Sequence, residues 1–553
     1  MLDTIVGYRK SWLRPDLIAG VTTAAVIIPK ALAYATVAGV PVQVGMYTAF
    51  FPMLIYVLLG TSRPLSVSTT ATIAVLVGTQ LSQVVPDGDP ALLVQALATL
   101  TFMVGGILLL ASLFRLGFLA NFISEPVLIG FKGGIGLVIV VDQLPKLFGV
   151  HFAKGSFITD LVGLVGHLPE FSGITVVLAA ITVAVLVVTE RLAPKVPAPL
   201  LAVAIGIAGV AMFGLHDLGV TTIGQIPSGF PSLTLPDFSF AAQLWPGALG
   251  IALMSFTETI AAGRAFSKSD EPSPRPNQEL LATGLANAGS ALFGTLPSGG
   301  GTTQTAVNRH AGAKTQVAEI ATASVSLITM LLLAPLLSLM PEATLAVVVI
   351  VYSISLIQPA EFRAILKIRR MEFIWALTAC VGVVLLGTLK GIIVAIIVSI
   401  VALSYQAANP HVFALGRKRG TNIFRSLSKD SPDDETFPGL LLIRMEGRAF
   451  FMNIDQIVEK INQLVADANP KIVALHMRSV IDLEYTALKG LSEAEKKLRE
   501  RNITLWLVGL NPGALAVVRK SPLGRILGHE RMFFNLETAV ATYVASSSPK
   551  VPT

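Results

Sequence analysis

Hydrophobic and polar positions divide this chain of 553 residues into two unequal parts. From Leu17 to about Ala408, apolar runs of roughly 20 residues recur, and each is long enough to cross a bilayer as a helix. From Pro438 the pattern changes to short apolar strands that alternate with an amphipathic helix, which is typical of a soluble α/β domain. The sequence therefore predicts a helical membrane protein with a soluble C-terminal domain.

About fourteen apolar segments can be distinguished in the membrane part. Their approximate centres lie near Val26, Pro52, Val75, Val104, Leu137, Ala184, Ile207, Ser255, Ala288, Val307, Thr329, Val349, Ala379 and Ile397. The third and tenth segments are short and are interrupted by Gly, Pro and Thr. The first segment follows the polar start "RKSWLRPD" without a small-residue cleavage site, so we expect a span there and not a signal peptide.

Composition sets five expected parts of the chain. They are a cytosolic N-terminal segment (1–16), a transmembrane domain (17–408), a basic linker (409–437), a soluble domain (438–545) and a C-terminal tail (546–553). Hydrophobic residues make up 53% and charged residues 14%, which is too apolar for a soluble protein.

The Lys and Arg residues of the short loops predict the orientation in the membrane. With the N-terminus inside, sixteen of them fall on the cytoplasmic side and three outside. The inner set is Arg9, Lys10, Arg14, Arg63, Arg115, Arg191, Lys195, Arg264, Lys268, Arg275, Arg309, Lys314, Arg363, Lys367, Arg369 and Arg370, and the outer set is Lys146, Lys154 and Lys390. The net charge of +7 therefore marks the cytoplasmic leaflet and does not indicate a nucleic-acid partner.

Motifs for nucleotide hydrolysis, metal binding and nucleophilic catalysis are missing from the sequence. "GFKGGIG" (130–136) contains Gly and Lys but lacks the Gly-Lys-Ser/Thr ending of a P-loop and lies within a span. A single cysteine, Cys380, excludes an intramolecular disulfide and a cysteine-based zinc site. We therefore expect neither an enzyme nor a cofactor, and transport down an ion gradient is the default for such a chain.

Two stretches rich in small and hydroxyl residues precede apolar runs. "SVSTTATIAV" occupies residues 66–75 and "GGGTTQTAVN" occupies residues 299–308, so they begin 233 residues apart. The first N–H groups of a helix have no partner within it, and each helix start carries roughly half a positive charge. Two such starts facing each other at mid-membrane would bind an anion, and the glycines 299–301 would let it approach the backbone. The alternative is that these small residues serve close helix packing.

Ionisable residues within the spans give a second indication of a site. Lys30 and Glu258 lie 228 residues apart, close to the first offset, which indicates a repeat of seven spans whose second copy is inverted. A charge at the bilayer centre costs roughly 2.5–3.5 kcal/mol, so we expect both to line one cavity. Glu258 could carry a coupling proton or form a permanent ion pair with Lys30. Lys132 and Asp142 lie nearer the ends of their span, where snorkelling and loop contacts are expected.

Several segments resemble the sulfate permease (SulP) family of anion transporters. They are the stretch 27–64, which begins "IIPKALAYATVAGVPVQ", then "ETIAAGRAFS" (258–267) and "GTLPSGGGTTQTAVNRHAGAKTQVAEI" (294–320). The soluble part is similar to a STAS domain in "FFMNIDQI" (450–457), "VIDLEYTAL" (480–488) and "LWLVGLNP" (505–512). The resemblance covers nearly the whole chain, in order.

This resemblance implies fourteen spans in a seven-plus-seven inverted repeat, shared with uracil permeases, in a protein that forms homodimers. It also implies that a core domain moves against a gate domain and carries the anion between the third and tenth half-helices. By position, the anion-binding residues are Lys30, Ala33, Tyr34, Ser68, Thr69, Thr70, Gly301, Thr302, Thr303 and, next to them, Gln304. The acid that the family links to ion coupling falls on Glu258.

The chain departs from the family pattern at two of these positions. The family often has Gln after the proline of the first span, where this chain has Lys30, and often has Arg where this chain has Gln304. Our hypothesis is that Lys30 supplies the positive charge that Arg supplies elsewhere. The alternative is that Lys30 neutralises Glu258 and leaves a nearly neutral site.

The STAS resemblance also carries a departure. Relatives that act as anti-sigma-factor antagonists place a phosphorylatable Ser or Thr directly after the residue equivalent to Asp482. Here Leu483 and Glu484 follow, and Thr486 would be a different site. We therefore expect a role in folding, trafficking or dimer contacts, with ligand sensing as the alternative.

The expected function is secondary active transport of an anion of the sulfate, bicarbonate or dicarboxylate class, coupled to protons through Glu258. Exchange and sodium coupling are alternatives within transport. Two others are a nucleobase permease, against which Lys30 argues, and a scaffold whose STAS domain binds a cytosolic partner. A bacterial inner membrane with both termini in the cytoplasm is expected. The sequence does not name the anion.

Overall fold

The computed structural model describes residues 8–121, 124–152, 157–193, 196–224, 226, 229–268, 271–428 and 432–547. Its chain divides into two compact units, Met1–Ile400 and Val401–Thr553. Lys154 and Lys195, both used above for orientation, lie outside the described residues.

The first unit is helical, and each of the fourteen expected segment centres falls within a helix. The helices are α1 Leu13–Val37, α2 Gln43–Thr48, α3 Phe51–Leu59, α4 Ala71–Val84, α5 Pro90–Leu113, α6 Glu125–Phe148, α7 Phe157–His167, α8 Gly173–Leu192, α9 Ala198–Phe213, α10 Ala241–Phe266, α11 Pro276–Ala291, α12 Thr302–His310, α13 Val317–Leu332, α14 Ala334–Leu337, α15 Glu342–Ile354, α16 Pro359–Ile368, α17 Arg370–Leu386 and α18 Thr388–Ala408. Among the described residues, six helical stretches are long and apolar enough to span a bilayer unaided. The shorter ones include α4 and α12, the two segments that the sequence marks as interrupted.

Two very short strands join the halves of this unit. Strand β1 (Val67–Ser68) precedes α4, and strand β2 (Gly299–Gly300) precedes α12. They pair antiparallel, with Val67 opposite Gly300 and Ser68 opposite Gly299. The segments that lead into α4 and α12 therefore run in opposite directions where they meet.

Close contact between helices depends on glycine. A Cβ atom added at Gly105 of α5 would lie 2.4 Å from the backbone nitrogen of Ala288 in α11. A Cβ atom at Gly130 of α6 would lie 1.9 Å from the carbonyl oxygen of Ala376 in α17. Small residues are the usual means of packing helices in membranes, because side chains there gain little from leaving lipid.

The second unit contains a mixed sheet covered by helices. Its elements are β3 His411–Arg417, β4 Phe424–Ser426, β5 Leu440–Ala449, α19 Ile454–Ala468, β6 Ile472–His476, β7 Val480–Leu483, α20 Tyr485–Glu500, β8 Thr504–Val508, α21 Pro512–Lys520, α22 Pro522–Leu527, β9 Met532–Phe533 and α23 Leu536–Ser547. The strand order is β4-β3-β5-β6-β8-β9, with β7 paired to β5. Strands β5, β6, β8 and β9 are parallel, which matches the alternation of strands and helices in the sequence.

Residues 409–437, expected to be a linker, contribute two strands to this sheet. Strand β3 pairs antiparallel with β5, and β4 pairs antiparallel with β3 at the edge. Arg417 and Arg425 in these strands form ion pairs with Glu435 and Asp434. Charged residues are typical of edge strands, which explains why composition alone indicated a linker.

His476 at the end of β6 is 6% exposed and accepts a hydrogen bond of 3.2 Å from Nε of Arg444. Burial, together with the charges of Arg444 and Arg478, lowers the pKa of His476 from 6.5 to about 4. The folded unit therefore holds this imidazole neutral at pH values where the unfolded chain would protonate it.

We expect Gly105→Ala to destabilise the first unit, because its Cβ would clash with backbone that cannot rotate away. Gly106→Ala is the matched control, since a Cβ at the next position of α5 meets no atom within 4 Å. Thermal unfolding of the purified protein in detergent should give a lower midpoint for the first variant and an unchanged or higher one for the second. Equal midpoints for both variants would contradict the packing role of Gly105.

We expect the second unit to lose stability as the pH falls from 6.5 towards 4. Because the folded pKa of His476 lies below the unfolded value, the unfolded state binds more protons in this window, and the slope is at most about 1.4 kcal/mol per pH unit. Urea unfolding of a fragment covering residues 401–553, repeated across this pH range, measures how its free energy of unfolding depends on pH. His476→Gln should flatten the slope between pH 6.5 and 5, whereas His529→Gln, at an exposed position, should leave it unchanged.

Candidate functional site

The starts of α4 and α12 open onto one cavity. Thr70 caps α4, with its hydroxyl accepting a hydrogen bond of 3.3 Å from the N–H of Ile73. Gly301 is the residue before α12, and its N–H donates to the carbonyl oxygen of Ser66 at 3.1 Å. The antiparallel pairing of β1 and β2 thus brings both helix starts to the same point, as the sequence predicts.

This cavity has a volume of about 50 Å³, room for a few water molecules or one small anion. Its lining comes from six helices, from the turns before two of them and from the turn after a third. The lining residues are Lys30, Tyr34, Thr69, Thr70, Ala71, Thr72, Lys132, Glu258, Gly301, Thr302, Thr303, Gln304, Tyr352, Ser355 and Leu356. A larger cavity of about 520 Å³ contains Asp142 and lies elsewhere in the same unit.

Most of the predicted site residues lie on this cavity, and two do not. Ala33 and Ser68 are each 1% exposed and are absent from its lining. The hydroxyl of Ser68 instead donates to the carbonyl oxygen of Thr48 at 3.4 Å. Thr69 is also 1% exposed but does line the cavity, and its hydroxyl has no partner among the described residues. A buried hydroxyl without a partner is rare, and a ligand in the cavity would supply one.

The glycine run before α12 has two separate roles. Added Cβ atoms at Gly299 and Gly300 would lie 3.0 Å from the carbonyl oxygen of Ser255 and 2.8 Å from Cα of Thr259, both in α10. These two glycines therefore let β2 pack on the backbone of α10, and the expectation that they admit a ligand is wrong. Gly301 is the member of the run that faces the cavity.

Glu258 is held by two partners from different parts of the fold. The hydroxyl of Thr70 donates to Oε2 at 2.8 Å, and Nζ of Lys132 lies 3.9 Å from Oε1. The ion pair between Glu258 and Lys30, one of the two alternatives that the sequence leaves open, is not formed. Nζ of Lys30 lies instead 3.7 Å from the centre of the Tyr352 ring, as a cation–π contact. Both lysines nevertheless line the same cavity as Glu258, as predicted for Lys30.

The expectation that Lys132 snorkels is wrong. Lys132 lies seven residues after the start of α6 at Glu125, roughly 10 Å along the helix axis. The cavity reaches this depth because α4 and α12 are half-helices that begin inside the membrane part. An intramembrane charge marks Lys132 in the sequence, but the sequence alone does not place that charge beside Glu258. Tyr352, Ser355 and Leu356 lie at the end of the apolar helix α15 and gave no comparable signal.

A buried network behind the cavity fixes β1 against α12 and α13. Ser66 donates from its hydroxyl to Glu319 at 2.9 Å, and Asn308 donates to the other carboxyl oxygen at 2.9 Å. The carbonyl oxygen of Ser66 accepts from Nε2 of Gln304 at 3.1 Å. The amide nitrogen of Gln304 is therefore engaged with the facing strand, although the residue lines the cavity.

The position corresponding to the regulatory phosphorylation site in the second unit contains no hydroxyl. Leu483 after Asp482 is 3% exposed and belongs to the core. Arg448 donates to Asp482 at 3.0 Å and to Glu484 at 3.2 Å, so both neighbouring carboxylates already have a cationic partner.

The cavity is suited to a small anion. Two helix starts direct peptide N–H groups and partial positive charge towards it, two lysines add a full charge each when protonated, and Thr69, Thr302 and Thr303 can donate hydrogen bonds. Among the described residues that line it, Glu258 carries the one acidic group. Such a site can bind an anion and bring a protonatable group next to it.

Family models match both units of the chain. The model described as "Sulfate permease family" matches residues 13–379, and the model described as "STAS domain" matches residues 431–539. A "Probable sulfate transporter MT1781" of Mycobacterium tuberculosis (strain CDC 1551 / Oshkosh) is 32% identical over 542 residues, which cover 97% of this chain and 96% of the relative. "High affinity sulfate transporter 2" of Stylosanthes hamata is 29% identical over 561 residues, which cover 97% of this chain and 85% of that relative.

Two solved structures share the fold. The murine Solute Carrier 26 family member A9 (Slc26a9) anion transporter in the inward-facing state has a TM-score of 0.90 at 21% identity, over 98% of this chain and 93% of that one. The transmembrane domain of the cyanobacterial bicarbonate transporter BicA has a TM-score of 0.62 at 26% identity, over 70% of this chain and 98% of that one. The match to the first structure extends over both units of this chain. The match to the second covers a share of this chain about as long as its membrane part.

Proposed function

Because the chain belongs to the sulfate permease family and is an anion transporter, not an enzyme, we propose that it carries sulfate or a similar small anion by secondary active transport coupled to protons. The observation that supports this most directly is the cavity in which two helix starts and two lysines surround one carboxylate. The curated relatives named as sulfate transporters support the choice of anion.

Glu258 is proposed as the coupling residue. It lies 5% exposed on the cavity, beside Lys132 and the capping hydroxyl of Thr70. A carboxylate in such a site repels an anion when ionised, and a proton on it removes the repulsion. Binding of the anion and binding of the proton would therefore favour each other, as symport requires.

An elevator-type movement is proposed for the transport step. The helices α1, α4, α10 and α12 contribute Lys30, Thr72, Glu258 and Thr302 to the cavity. The opposite wall comes from α6 and α15. Displacement of the first group along the second would open the cavity to either side of the membrane.

The placement in the cell is proposed on similar grounds. The distribution of Lys and Arg over the loops supports cytoplasmic N- and C-termini, and the mycobacterial relative supports a bacterial plasma membrane. The family resemblance supports a homodimer. For the STAS domain we propose a structural role, because the buried Leu483 follows Asp482 where the resemblance to anti-sigma-factor antagonists would place a phosphorylatable Ser or Thr.

Uptake of labelled sulfate into proteoliposomes tests the transport proposal. We expect uptake to be stimulated by a proton gradient that is acidic outside and to be independent of sodium. Glu258→Gln should retain sulfate binding but lose the stimulation, because the amide cannot exchange a proton. Glu342→Gln, at a carboxylate outside the cavity, is the control. Uptake that requires sodium, or an undiminished proton response in Glu258→Gln, would contradict coupling through Glu258.

Lys30→Gln tests whether Lys30 provides charge to the anion. We expect sulfate affinity to fall by about tenfold or more, since removal of a buried positive charge near the anion costs at least about 1.4 kcal/mol. The double variant Lys30→Gln with Gln304→Arg should regain part of the lost sulfate affinity, because the arginine places a positive charge at the start of α12. Lys390→Gln, at an exposed position, controls for loss of a lysine elsewhere. An unchanged sulfate affinity in Lys30→Gln would contradict a role of Lys30 in binding the anion and would leave its contact with Tyr352 as its role.

A further inference from the structure

The charged groups that line the cavity do not balance. With both lysines protonated, Lys30 and Lys132 contribute two positive charges, and Glu258 contributes one negative charge when it is ionised. The cavity therefore has a net charge of +1 with the carboxylate ionised and +2 with it protonated. The helix starts of α4 and α12 add further partial positive charge.

Lys132 is held less firmly than Lys30 and Glu258. Its Nζ lies 3.9 Å from Oε1 of Glu258, at the outer limit of an ion pair, and its side chain is 19% exposed against 7% for Glu258. Lys30 is buried over the ring of Tyr352 at 3.7 Å, and Glu258 is oriented by the hydroxyl of Thr70 at 2.8 Å. A new anion in the cavity would therefore be reached more readily by Lys132 than by Lys30.

The ion pair also joins two groups of helices. Lys132 lies on α6, which packs against α15 and α17. Glu258 lies on α10, which packs against α4, α5 and β2. The contact between the two side chains thus connects the two walls of the cavity. An anion bound between these walls would place its negative charge beside the ammonium group of Lys132.

We propose that Lys132 is a specificity-determining residue that favours doubly charged anions over singly charged ones. Its ammonium group pairs with Glu258 in this structure. When an anion binds, the ammonium turns towards it and becomes, with Lys30, the second full charge that a divalent tetrahedral oxyanion needs. This inference rests on the proposed function and names the substrate class of the same site.

Coulomb's law gives the proposal a quantitative signature. The interaction energy of Lys132 with a bound anion is proportional to the charge of that anion at equal distance. Loss of the ammonium should therefore lower the binding affinity for a monoanion by some factor. It should lower the affinity for a dianion of the same shape by the square of that factor. Sulfate and methanesulfonate are such a pair, since both are tetrahedral at sulfur and differ by one charge.

Isothermal titration of the purified full-length protein with sulfate and with methanesulfonate tests this. In Lys132→Gln we expect about a tenfold weaker affinity for methanesulfonate and about a hundredfold weaker affinity for sulfate. Lys132→Arg keeps the charge and should keep the ratio of the two affinities near the wild-type value. Lys146→Gln removes a lysine from the same helix outside the cavity lining and should leave both affinities unchanged.

The outcomes separate the two proposals. Equal losses for both anions in Lys132→Gln, or no loss, would overturn the role of Lys132 while sulfate binding by the wild type upholds the proposed function. A wild-type protein that binds neither anion would overturn the proposed function and this inference with it. Should Lys132→Gln unfold, Lys132→Met, which keeps an unbranched side chain without the charge, provides the same comparison.

Discussion

The whole membrane unit depends on satisfying the backbone where two helices are interrupted inside the hydrocarbon region. Every peptide group there must find a partner within the protein, because lipid offers none. Here β1 and β2 pair with each other, the N–H of Gly300 donates to the hydroxyl of Thr259 at 2.9 Å, and the N–H of Gly301 donates to Ser66. With these groups satisfied, the starts of α4 and α12 remain as the backbone donors available to an anion.

This arrangement explains why the neighbourhood of the cavity is so rich in small residues. Strand β2 can pair with β1 only if it lies directly on the backbone of α10, and Gly299 and Gly300 make that approach sterically feasible. Packing and ligand binding, which the sequence presents as alternatives for the run 299–301, are therefore divided among its members. Two glycines build the platform, and the third, Gly301, lies at the cavity.

Sequence patterns located the elements but not the contacts between distant helices. Apolar periodicity found the helices, since each must present a hydrocarbon surface of fixed length, and the Thr-rich starts identified the two half-helices. The partner of Glu258 was missed, because which lysine meets it depends on how α6 and α10 cross. Tyr352 was missed for the same reason: an aromatic residue at the end of an apolar helix is ordinary until Lys30 is found to lie over its ring. Composition predicts a linker where β3 and β4 form, because the charges of an edge hairpin resemble those of a loop.

The other buried acids of this unit show why the two lysines can act on the cavity. Glu319 accepts from Ser66 and Asn308, and Glu279 accepts from the hydroxyl of Tyr56 at 2.8 Å and from the N–H of Thr61 at 2.8 Å. Asp16 accepts from the backbone N–H groups of Lys314 and Thr315. In the described part of the chain these carboxyl groups are thus held by hydroxyl, amide and backbone donors. Because such neutral donors stabilise them without a cation, the charges of Lys30 and Lys132 are not consumed by the scaffold. Their field is opposed locally by Glu258, the acid that lines the cavity with them, and a change in the protonation of that single group would alter the charge that the anion meets.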